Sequence, residues 1–134
     1  MNDYRPWYDA LAKPAWTPQS ATIGTIWGVI YPLIAVAAVA TGVKVVRSDL
    51  SKWVLVPLAL NLVSNVAFTT ILFGMRNLQL ATADILVVLA TIVWWMLAVW
   101  RPGSVWIVVP LAPYLVWVST ATVLQVAITL ANRG

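Results

Sequence analysis

The chain contains no cysteine and no histidine. Without cysteine there is no disulfide, no thiolate nucleophile and no cysteine-ligated cluster or haem. Without histidine there is no Ser-His-Asp triad, no histidine-bound zinc and no histidine-ligated haem. Charge is scarce as well: charged residues make up 9% of the chain, and the eight basic ones are scattered singly. The formal charge is +4, yet no basic run would track a phosphodiester backbone, so nucleic acid is not an expected partner. No cleavable signal peptide is legible, because the N-terminal segment is too polar and aromatic for an apolar h-region. The first hydrophobic helix is expected to act as the insertion signal.

What is abundant is apolar. Hydrophobic residues reach 62% and mean hydropathy is +0.89, more than a soluble core can bury and typical of the membrane class. A length of 134 residues implies one domain. A spanning helix needs about 20 mostly apolar residues, and four segments qualify: 21–43, 53–73, 78–100 and 105–131. The expected fold is therefore all-α, a polytopic membrane bundle of four transmembrane helices. Short connections predict that consecutive helices are antiparallel neighbours. Trp53, Trp94, Trp95, Trp100 and Trp106 fall near the expected helix ends, where aromatic belts form. Basic residues divide evenly, with Arg5, Lys13, Arg76 and Arg133 on one side and Lys44, Arg47, Lys52 and Arg101 on the other, so orientation is not encoded in them.

The organising stretch is Pro6 to Tyr31. Residues 1–20 mix aromatics, prolines and single charges, as an interfacial segment does, and read as a lid joined to one pocket wall. On the first helix Gly24, Trp27, Gly28 and Tyr31 share a face. The glycines permit close helix packing, while mid-helix Trp27 and Tyr31 seek buried hydrogen-bond partners. On the second helix Asn61, Asn65, Phe68 and Leu72 form a stripe, with Ser64 beside it. Its asparagines must face inward, either to bond between helices or to orient a ligand. On the fourth, Tyr114, Trp117, Ala121 and Gln125 lie below Pro110 and Pro113, prolines that accompany either a cavity or a packing adjustment. The third helix carries one ionisable group, Asp84, which reads as a cap or ion pair beside Arg76, or as a ligand or proton contact. Aromatic walls with a few polar groups make a pocket for a flat, largely apolar ligand.

These residues resemble the translocator protein family, also called tryptophan-rich sensory proteins (TspO/MBR). The run Trp7-Tyr8-x-x-Leu11-x-Lys13-Pro14-x-Trp16-x-Pro18 is similar to the family's first-loop signature. Trp27-Gly28-x-x-Tyr31 resembles its second-helix motif. Asn65, Phe73-Gly74-x-Arg76 and Asp84 resemble its third and fourth helices, and Pro113-Tyr114-Leu115-x-Trp117 with Ala121-Thr122-x-Leu124 its last. The resemblance implies a bound porphyrin or haem-like tetrapyrrole, with no other cofactor required, and a sensory, transport or regulatory role. Carried over by position, the ligand-binding residues are Trp16, Trp27, Tyr31, Asn65, Phe68, Trp117 and Ala121. The tryptophans matching Trp27 and Trp117 are implicated in light-dependent porphyrin breakdown, so a photo-enzyme is the alternative, alongside a structural partner without its own ligand.

Family members have five spans, whereas here the signature begins almost at Met1, so a short form without the first span is expected. Phe68 stands where a tryptophan is usual, Thr69-Thr70 where a proline pair is, and Gln125 where an asparagine is common. Val126 stands at the tyrosine of a proposed cholesterol motif, and sterol binding through that motif is not expected. The expected partners are the lipid bilayer, a small apolar ligand, and either a second copy meeting at Gly24 and Gly28 or a separate helix replacing the absent span. The expected location is a prokaryotic inner membrane.

Overall fold

The computed structural model describes residues 10–18 and 20–132, and every element in it is helical. Helix α1 spans Ser20–Val46. Helix α2, Leu55–Thr69, is entered through a 3-10 turn at Lys52–Val54 and leaves through a π turn at Thr70–Gly74. Helix α3 spans Leu78–Ala98, and α4 spans Val108–Ala131 behind a 3-10 turn at Val105–Ile107. Each lies within a few residues of the expected segment, and all four are long and apolar enough to cross a membrane. The protein is an integral membrane protein.

The ends follow from local chemistry. Ser51 Oγ accepts the Trp53 N–H at 3.2 Å, and Asn77 Oδ1 accepts the Leu80 N–H at 2.9 Å, so both starts are capped. At the end of α1 the Lys44 carbonyl accepts the N–H groups of Asp49 (2.8 Å) and Leu50 (3.2 Å), with Ser48 in the left-handed region at φ 63°. Helix α2 ends as Met75 donates five residues back to the Thr70 carbonyl at 2.9 Å.

Helices α2 and α3, and α3 and α4, pack as the short loops predict. The first pair departs from that expectation: α1 packs on α4 and touches α2 at few points. The cause is where α1 finds apolar partners. Its buried face, Ile30, Ile34, Ala37 and Thr41, joins one core with Val88, Ile92 and Trp95 of α3 and Leu111, Tyr114 and Val118 of α4. Trp95 is a second departure. Trp53, Trp94, Trp100 and Trp106 are exposed as belt residues should be, but Trp95 is fully buried and its Nε1–H donates to Thr41 Oγ1 at 3.1 Å. It is a core residue that ties α1 to α3.

The described part of the interfacial segment is strapped to the opposite end of the bundle. Asn132 grips Ala12 from both sides, accepting its N–H at 3.1 Å and donating to its carbonyl at 2.9 Å. Leu11 packs with Ile23 and Leu78 against Leu124 and Ile128. The rest of the expected lid, residues 1–9 and 19, lies outside the described residues.

Candidate functional site

Four aromatic side chains from two helices meet between α1 and α4. Trp27 and Tyr31, four residues apart, lie on one face of α1 and stack with centroids 5.3 Å apart. Tyr114 and Trp117, three apart on α4, make edge-to-face contacts with Trp27, their centroids 6.5 and 6.1 Å from its own. Stacked and edge-to-face contacts of this kind add roughly 0.5–1.5 kcal/mol each beyond burial. Tyr31 is 46% exposed and lies on the side of α1 where contact with α2 is sparse.

Behind the rings runs a directed chain of hydrogen bonds. Asn65 Nδ2 donates to the Tyr114 hydroxyl at 2.6 Å, and that hydroxyl donates to Asn61 Oδ1 at 3.0 Å. Asn61 Nδ2 donates in turn to Thr91 Oγ1 at 3.0 Å and to the Val88 carbonyl at 3.3 Å. A carbonyl can only accept, which fixes the Asn61 amide with its nitrogen toward α3 and its oxygen toward Tyr114. Asn61 and Tyr114 are fully buried, and the chain joins α2, α3 and α4. The inward-facing asparagines of α2 thus bond between helices while standing directly behind the aromatic cluster.

Three buried polar atoms among the described residues lack a partner: Thr17 Oγ1 in the strap and two on the helices. One is the indole Nε1–H of Trp117, a side chain 92% buried by its 8% residual exposure. The other is Oδ2 of half-buried Asp84 on α3. An unsatisfied donor and an unsatisfied acceptor are each costly in an apolar interior. Among the described residues no cluster of histidine, cysteine or carboxylates could hold a metal.

The sequence pattern of the TspO/MBR family matches residues 1–131. The chain belongs to the TspO/MBR family. This TspO/MBR protein is 37% identical over 125 residues to tryptophan-rich protein TspO of Bacillus cereus, covering 90% of this chain and 77% of that protein. It is 31% identical over 144 residues to the translocator protein of Homo sapiens, covering 96% and 76%. It is 31% identical over 116 residues to the tryptophan-rich sensory protein of Cereibacter sphaeroides, covering 87% and 70%.

Of the residues assigned to ligand binding from sequence, the fold gathers Trp27, Tyr31, Trp117 and Asn65. Phe68 and Ala121 are half-buried against the same core. Trp16 stands apart, 52% exposed in the strapped segment. Gln125 is occupied elsewhere: its amide donates to the Leu78 carbonyl at 3.4 Å and to Thr129 Oγ1 at 3.1 Å, tying the start of α3 to α4. Gly24 and Gly28 lie on an open face of α1, where an added Cβ would meet no heavy atom within 4 Å. Tyr114 and Asn61, legible as stripe members, are the hub of the site, and the signal for that was their phase: each sits within one turn of an assigned residue.

Proposed function

We propose that this TspO/MBR protein binds a flat, largely apolar ligand of the porphyrin type against the Trp27, Tyr31 and Trp117 rings, with Tyr114 buried behind them, in a sensory, transport or regulatory role. The observation that carries the reading is the buried, unpartnered Nε1–H of Trp117 within an aromatic wall. A planar macrocycle offers apolar area for the rings and a polar edge to accept that hydrogen. The sparse contact between α1 and α2, beside half-exposed Tyr31, gives such a ligand a way in from the bilayer. The names of two relatives, a sensory protein and a translocator protein, agree with a binding role rather than acid–base catalysis.

Tryptophan-fluorescence quenching by protoporphyrin IX tests this directly. We expect saturable quenching whose midpoint rises at least tenfold, about 1.4 kcal/mol, in Trp27→Phe and Trp117→Phe. Linear quenching insensitive to both substitutions would refute the pocket and favour a structural partner without its own ligand. The edge contact between the two indoles also favours a second reading, light-driven breakdown of the bound porphyrin. Illumination would then bleach porphyrin in wild type and spare it in the double variant.

Self-association belongs to the same reading. Among the described residues no heavy atom lies within 4 Å of a Cβ added at Gly24 or Gly28, and small residues let a second helix come close in a bilayer. A dimer mass in nanodiscs, reverting to monomer in Gly24→Leu/Gly28→Leu, is the expected result. A monomer at all concentrations would count against it.

A further inference from the structure

The end of the bundle opposite the strap carries a second feature, unconnected with the aromatic cluster. The α1–α2 loop and the α3–α4 loop meet there around an open depression of about 520 Å³. Ser48, Asp49, Ser51, Lys52 and Arg101 supply its polar lining, and Val45 and Leu50 its apolar part. Four basic residues belong to this end, Lys44, Arg47, Lys52 and Arg101, against the single carboxylate of Asp49, which leaves three net positive charges. Asp49 is already engaged by Lys44 at 3.9 Å. Among the described residues no carboxylate lies within ion-pair distance of Lys52 or Arg101.

The surroundings set the depth of this depression in the membrane. Trp53, Trp100 and Trp106 are exposed at the same end, where amphipathic rings lie at headgroup level. Lys52 lies over the Trp53 ring with its Nζ 5.6 Å from the centroid, so its ammonium is held at that level. Ser51 Oγ accepts the Trp53 N–H, which leaves its hydroxyl hydrogen to donate outward. Two cations and a hydroxyl beside apolar side chains match a phosphate on a glycerol backbone with its first acyl carbons.

We propose that this depression is a binding site for the headgroup of an anionic phospholipid. Lys52 and Arg101 hold the phosphate oxygens, the Ser51 hydroxyl donates to one of them, and Val45 and Leu50 seat the apolar carbons. A free phosphate shares the charge but lacks the apolar part, so these apolar side chains select the lipid.

The test is a thermal melt of the full-length protein in mild detergent with phosphatidylglycerol, phosphatidylcholine or inorganic phosphate added. Phosphatidylglycerol is expected to raise the midpoint by at least about 4 °C, while the other two leave it unchanged. High salt should shrink the shift, since the attraction is screened. Lys52→Ala/Arg101→Ala is expected to lose most of it. The conservative Lys52→Arg/Arg101→Lys pair and Lys13→Ala, at the opposite end, should keep it. Equal shifts with phosphatidylcholine, or a full response in the Lys52→Ala/Arg101→Ala variant, would overturn the proposal. A shift produced by inorganic phosphate and not by the lipid would replace it with a free-anion site. None of these outcomes depends on porphyrin binding, so the site stands or falls separately from the aromatic cluster.

Discussion

Trp95→Ala is expected to destabilise the bundle by about 3 kcal/mol in a detergent or bicelle unfolding titration. Truncating a buried tryptophan in a water-soluble core costs about 3–5 kcal/mol, part of it transfer from water and part the cavity left behind. In a bilayer the unfolded reference is also apolar, so the transfer part shrinks and the cavity part remains. Trp95 is fully buried, and it is the residue through which α3 holds α1, by its ring and by the 3.1 Å bond to Thr41. Because α1 has so little contact with α2, the loss should fall unevenly on the molecule. A single cysteine placed on α1 in this cysteine-free chain should label faster in Trp95→Ala, while one on α2 should not. Trp95→Phe keeps most of the volume and loses the hydrogen bond, so about 1 kcal/mol is expected from it. The neighbouring Trp94, exposed, supplies the control. If Trp94→Ala costs as much as Trp95→Ala, the assignment of Trp95 to the core is wrong.

That pair of tryptophans marks where the sequence ran out. Four spans and their ends were legible, because a membrane helix is defined by a length of apolar chain and by the polar residues that stop it. The caps at Ser51 and Asn77 were not read from the sequence and emerge only in the structure. The inward phase of α2 was legible too, since Asn61 and Asn65 cannot face lipid cheaply. Helices that are apolar all round keep little record of which face is inward, so Trp94 and Trp95 looked alike. Polar groups fix rotation in such a segment, and on α3 they include Thr91, an unremarkable threonine until Asn61 donates to it.

The neighbour relations were less legible than the spans. A five-residue loop such as 47–51 says that α1 and α2 are close at one end, not that they pack along their length. Helix α1 instead follows its own buried face onto α4, which brings Trp27 to Tyr114 and Trp117. The stripes on α1 and α4 were read separately from sequence as pocket walls. Their meeting depends on this packing choice, which lies in side-chain fit between distant segments and leaves no local signature. Trp16 shows the converse: a motif residue assigned to the site by position stands exposed in the described strap, because Asn132 and Leu11 place that segment over the end of α4.

Tyr114→Phe is expected to cost about 1–2 kcal/mol, although it removes one oxygen and leaves the packed volume almost unchanged. A single hydrogen bond between membrane helices averages about 0.6 kcal/mol, with a maximum near 1.7, because the unfolded helices find other partners. This hydroxyl makes two, accepting from Asn65 and donating to Asn61, and its loss strands a buried donor and a buried acceptor together. A double-mutant cycle separates this from a local effect. On an Asn61→Ala background the hydroxyl has lost its acceptor, so Tyr114→Phe should cost less than half as much. Asn61→Ala itself should be tolerated on the α3 side, since Thr91 also donates to the Val87 and Val88 carbonyls, each at 2.9 Å. The same substitution reaches the site through geometry: with its hydroxyl unanchored, the Tyr114 ring is free to rotate out of its edge-to-face contact with Trp27, 6.5 Å away. Porphyrin quenching should therefore weaken several-fold in Tyr114→Phe, though this side chain sits behind the wall rather than on its exposed face. An additive cycle, with the full cost of Tyr114→Phe retained in Asn61→Ala, would show that the two residues are not coupled and that the chain from α2 to α4 does not hold the aromatic cluster in place.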